Sequence, residues 1–178
     1  MRIYDGSPRQ GWENVLRAIG AFADRERMKE LLLLELEGGF LLQGMALPEG
    51  GHDSDTFGAL AKRTYELTDD QVAQLLDEEE AQRGTAGSEV PHAEIANYYE
   101  QAMRVIGSYV DAQKARDLFL FEQEGSFVLR LLMSSSSGVG HQLAEFTRDE
   151  ILAMIEAAPE QRGATEKADA QPAGEASS

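Results

Sequence analysis

The stretch Leu31–Leu47, LLLLELEGGFLLQGMAL, decides the reading of this chain because it returns as Leu118–Met133, LFLFEQEGSFVLRLLM. Glu35 matches Glu122, Glu37 matches Glu124, Gly38 matches Gly125 and Phe40 matches Phe127, each pair 87 positions apart. Each copy holds two apolar runs separated by a glycine pair or Gly-Ser, the composition of a tight hairpin turn that accepts positive φ. A two-residue turn at Gly38-Gly39 sets Glu37 opposite Phe40, Glu35 opposite Leu42 and Leu33 opposite Gly44 on one face. Leu32, Leu34, Leu36, Leu41, Gln43 and Met45 then share the other. In the later copy, Leu118, Leu120, Glu122, Glu124, Phe127, Leu129 and Leu131 share one face, and Phe119, Phe121, Val128, Arg130 and Leu132 the other. Both faces are apolar. A sheet covered by helices on one side only alternates more cleanly, so a cover for the second face is expected, from the sister copy or an identical chain.

The repeat extends outward in both directions. Ahead of the first hairpin, Trp12, Val15, Leu16, Ile19 and Ala23 follow helical spacing, matched by Tyr99, Ala102, Met103, Ile106 and Val110. Ser7-Pro8-Arg9-Gln10 reads as the first helix's N-terminus. Arg17, Gly20 and Asp24 recur as Arg104, Gly107 and Asp111. A glycine inside a helix costs about 1 kcal/mol against alanine, so its presence in both copies points to a close backbone approach. After the hairpins, Arg63–Leu67 and Gln142–Phe146 read as third strands, and Thr68-Asp69-Asp70-Gln71 and Thr147-Arg148-Asp149-Glu150 as capping boxes opening final helices. Pro159 ends the second of these early.

The expected fold is therefore α+β, a tandem duplication of an αβββα unit. Each repeat is a three-stranded antiparallel meander with helices packed on the sheet, and the two are arranged about a pseudo-twofold axis. The boundaries are 1–87 and 88–163, with 164–178 as a disordered tail poor in bulky apolar residues. The connections at 48–60 and Ser134–Gly140 read as polar loops.

Composition narrows the function classes. The chain has 178 residues, 42% of them hydrophobic, and a formal charge of −16. Such acidity opposes direct nucleic-acid or membrane-surface binding, which requires clustered Lys and Arg. With no cysteine, thiolate catalysis and Cys-ligated metals are excluded. MRIYDGSPRQ lacks the basic-then-apolar pattern of a secretory signal, and no apolar run spans a bilayer, so a cytoplasmic protein is expected.

Candidate chemistry is sparse. Glu35 with Glu37, and Glu122 with Glu124, alternate on strands at roughly 7 Å, a spacing that suits paired carboxylates or a shared cation. His52-Asp53-Ser54-Asp55 offers three ligand types but no second segment. Ser134–Ser137 with Gly138-Val139-Gly140 matches neither a nucleophile elbow nor a phosphate-binding loop. No catalytic, cofactor-binding or metal residue is assigned and no cofactor is expected.

The leading expectation is a non-enzymatic acidic protein-interaction module, adaptor- or chaperone-like, with a protein partner that is a candidate for a basic surface, and with a homodimer as an option. Its candidate interaction residues are Leu31, Leu33, Glu35, Glu37, Leu118, Leu120, Glu122 and Glu124, with the acidic run Asp77, Glu78, Glu79 and Glu80. One alternative is a small-molecule-binding protein or hydrolase with a site between the repeats near 48–60. A second is an acidic nucleic-acid mimic that binds a basic protein.

Overall fold

The computed structural model describes residues 10–46, 60–83, 97–136 and 138–159. The elements run α1 (Trp12–Arg25), β1 (Met28–Leu36), β2 (Gly39–Ala46), β3 (Ala61–Thr68), α2 (Asp69–Arg83), α3 (Tyr98–Gln113), β4 (Asp117–Gln123), β5 (Ser126–Ser135), β6 (Gly138–Phe146) and α4 (Arg148–Ala157). The fold is α+β. All six strands join one antiparallel sheet in the order β3-β2-β1-β4-β5-β6.

Its centre is the β1–β4 pairing, where Leu32, Leu33 and Leu34 stand opposite Phe121, Leu120 and Phe119. Of the two covers expected for the second face, the sister copy is thus not one, and this corrects that part of the expectation. The halves meet edge to edge, because β1 and β4 each have a free row of backbone N–H and C=O groups, which pairing satisfies.

The helices lie across one face in the order α2-α1-α3-α4. Beneath them is a single core in which Leu31, Leu33, Phe40 and Leu42 from β1 and β2 meet Leu118, Leu120, Phe127 and Leu129 from β4 and β5. The expected stripe of α1 is buried, from Trp12 through Ala23, as is its counterpart in α3.

Neither α1 nor α3 is capped by its own side chain; each is capped by the other helix. The Asp111 carboxylate accepts the N–H groups of Trp12 and Glu13, both at 2.9 Å. Asp24 accepts those of Tyr99 at 3.1 Å and Glu100 at 2.8 Å. A carboxylate at the start of a helix satisfies donors with no partner inside it and opposes the positive end of its dipole. The antiparallel pair is close enough that a Cβ on Gly20 would stand 2.3 Å from the Tyr99 carbonyl oxygen, and one on Gly107 2.5 Å from that of Trp12. The two helix glycines thus mark backbone contact. The Ser7–Gln10 start predicted for α1 falls largely outside the described residues.

Both later capping boxes form. Gln71 N–H donates to Thr68 Oγ1 at 3.3 Å while Thr68 N–H donates to the Gln71 side chain at 2.9 Å. Thr147 and Glu150 repeat the pattern at 3.3 Å and 2.7 Å. α4 stops at Ala157, ahead of Pro159.

Two local readings are corrected. The hairpin register is slipped by two: Glu35 faces Phe40 and Leu36 faces Gly39, so the turns are Glu37-Gly38 and Glu124-Gly125. Glu124 and Gly125 both have positive φ, 52° and 83°, the requirement of a type I′ turn that matches strand twist. An even slip preserves which residues share a face. The described residues of Ser134–Gly140 extend the strands, since Ser134 pairs with Val139 and Ser135 with Gly138. Alternation there continues the sheet even though the residues are small and polar.

Candidate interaction surface

Four leucines expected at the surface lie under the helices. Leu31, Leu33 and Leu120 are fully buried and Leu118 is 1% exposed. Glu37 and Glu124 are exposed at the hairpin tips. The glutamates two residues before them turn inward, where they work as clamps between β1 and β4.

Glu122 is buried, and one of its oxygens accepts the Leu31 N–H and the Tyr99 hydroxyl, both at 3.0 Å. The other accepts the Gly125 N–H of the hairpin turn at 2.7 Å. Burial first, and then the adjacent Glu122 charge, pushes the Tyr99 phenol well above its ordinary range. Glu35 takes the corresponding place, accepting the Leu118 backbone N–H. Burial and then the charge of Asp117, with which it shares a side-chain hydrogen bond, raise the Glu35 pKa to about 7. Glu35 is half-buried while Glu37 is exposed, and among the described residues no group of three or more His, Asp or Glu side chains could hold a metal ion.

The acidic run of α2 is not uniformly solvated. Asp77 and Glu80 are exposed, Glu78 pairs with Arg25 at 3.3 Å, and Glu79 is only 3% exposed. His52, Asp53, Ser54, Asp55 and His92 lie outside the described residues.

The feature that stands out is the sheet face opposite the helices. Strand register aligns its side chains in two rows across all six strands. One runs Glu66, Leu41, Leu34, Phe119, Arg130, Leu143; the next runs Thr64, Gln43, Leu32, Phe121, Val128, Glu145. Leu36 and Phe121 are about two-fifths exposed, Val128 likewise, and Val139 and Leu143 are 68% and 74% exposed. Leu32, Leu34, Leu41, Met45, Phe119 and Leu132 are half-buried beside them. No described helix packs on this side.

No protein-family model, curated protein or solved structure matches the chain. Monomeric proteins rarely leave contiguous apolar patches above a few hundred Å² in water. On this side Leu32, Leu34, Leu41, Phe119, Phe121 and Val128 lie on the four central strands with Gln43 and Arg130 among them, and the outer strands carry Glu66, Thr64 and Glu145 beside the exposed Val139 and Leu143. A largely apolar face edged by charged and polar side chains is the layout of a protein-docking surface. The second apolar set was visible in the hairpin alternation; Val139 and Leu143 were not singled out because their strand is mostly polar.

Proposed function

We propose that the chain is a non-enzymatic acidic protein-interaction module, adaptor- or chaperone-like, built from two αβββα repeats about a twofold axis between Leu33 and Leu120. The repeat reading is supported by contacts that recur 87 positions apart. Asp24 on Tyr99 mirrors Asp111 on Trp12, Gly20 mirrors Gly107, and Glu35 on Leu118 mirrors Glu122 on Leu31. The interaction reading is carried by the apolar face that no described helix covers, above all by Phe121, Val128 and Leu143. Three carboxylates support it indirectly, since Asp24, Glu35 and Glu122 hold backbone N–H groups in place.

A photo-crosslinking residue placed at Leu143 in cells should form adducts with a defined set of proteins, while the same residue at exposed Ala153 on α4 should not. Equal, unselective labelling from both positions would contradict the reading.

A further inference from the structure

We propose that the occupant of the open sheet face is a second copy of this chain, stacked face to face so that two six-stranded sheets enclose a core and the helices form the outer layers. The inference rests on the docking reading above and names the partner.

Charge is the first argument. The chain carries −16, and its helical side exposes Asp70, Asp77, Glu80, Asp149, Glu150 and Glu156. By strand register the open face carries Lys29, Lys62 and Arg130 against Glu66, Asp117 and Glu145, so that side holds almost none of the net charge. Two identical acidic chains repel through most approaches. This surface lets them meet without setting like charges against each other.

Area is the second. Strands of 7 to 10 residues, at about 3.3 Å per residue and roughly 4.8 Å between six strands, give a face of roughly 700 Å² per copy. Stacking two such faces removes about 1,400 Å² from water, within the range of specific interfaces.

The third argument is geometric. Twisted sheets stack with strand directions within about 30° and side chains interdigitating over about 10 Å. An in-plane twofold axis gives a closed dimer in which each copy uses the same patch, so assembly stops at two. The rows Leu41, Leu34, Phe119 and Leu32, Phe121, Val128 would form the shared core. Residues 160–178 contain no Leu, Ile, Val, Met or aromatic side chain, so that segment supplies no large apolar group to such a core.

The test is the mass of the purified full chain by light scattering and sedimentation across the micromolar range. The expected value is twice 19.5 kDa. Phe121→Asp combined with Leu143→Asp should halve it while far-UV circular dichroism is unchanged, and Ser108→Asp on α3 should leave it doubled. If the double variant fails to fold, Leu143→Asp alone, on the outermost strand, serves in its place. A single-copy mass at every concentration, or a dimer indifferent to the face variants, would overturn the inference. Monomers with Leu143 crosslinked to other proteins would overturn the second copy while sparing the docking reading; monomers with no adduct would sink both.

Discussion

Leu33 of β1 stands directly opposite Leu120 of β4, 87 positions later, and the two form the centre of the six-stranded sheet. A residue facing its own counterpart places a local twofold axis between them in the proposed duplication. It also explains why contacts elsewhere occur in exchanged pairs.

The helix caps are one such pair. Each of Asp24 and Asp111 accepts two backbone N–H groups at the start of the other half's helix. Asp24→Ala and Asp111→Ala should each cost about 1–2 kcal/mol, the upper range for losing an N-cap carboxylate. Urea denaturation of both variants checks this, and the two losses should be similar.

Alanine in place of a mid-helix glycine ordinarily stabilises a helix by about 0.5–1 kcal/mol. At Gly20 and Gly107 the sign should reverse, because the new methyl would meet backbone carbonyl oxygens of the facing helix. Overpacking against backbone costs roughly 1–3 kcal/mol. Thermal unfolding should give lower midpoints for both variants, and a rise in either would show that the helices do not touch there.

Glu122 holds three donors: the Leu31 and Gly125 N–H groups and the Tyr99 hydroxyl. Glu122→Leu leaves them buried without an acceptor, at roughly 1–3 kcal/mol for each one unsatisfied. Glu122→Gln retains acceptor capacity and should cost less. Chemical denaturation of the two variants separates loss of the hydrogen bonds from loss of the charge.

Glu35 sets a pH dependence. Its pKa is raised from 4.5 to about 7 in the folded chain, so folding favours its protonated form. That contribution is fully present below the unfolded value and is lost as pH rises through about 7. Asp24 acts in the same direction, raised from 3.8 to about 7 chiefly by burial. The melting temperature should fall as pH rises from the unfolded value of 4.5 through about 7. Glu35→Gln, which keeps an acceptor for the Leu118 N–H, should reduce that slope. Its melting temperature at the upper pH should exceed that of the wild type by roughly 2–4 °C, after discounting for partial exposure. Equal slopes in the two proteins would contradict the assignment.

Much of this architecture is legible in the residues because it depends on side-chain chemistry. Alternation in LLLLELEGGFLLQGMAL assigns every side chain to a face, and the Thr68 and Thr147 boxes mark their helices. The edge-to-edge join of β1 and β4 is not legible, because strand pairing uses backbone groups that every residue supplies. The hairpin slip escaped for a related reason: Glu37-Gly38 and Gly38-Gly39 both accept a two-residue turn, and both leave the faces unchanged. Glu35 and Glu122 read as tip carboxylates because nothing in their neighbours reveals the N–H groups of a strand 87 residues away. The candidate site was half visible. Its apolar residues could be assigned to one face, but the question of what covers that face depended on whether the halves stack or lie side by side.

Docking of a protein surface on this face can be measured directly, because the sequence contains no native cysteine. Leu143→Cys on the open face and Ser108→Cys on the helical side can be modified by a maleimide at increasing protein concentration and in cell extract. The thiol at 143 should react freely in dilute solution and become strongly protected as copies or partners accumulate, while the thiol at 108 should react at a constant rate. Equal and unchanging reactivity at both positions under every condition would contradict it.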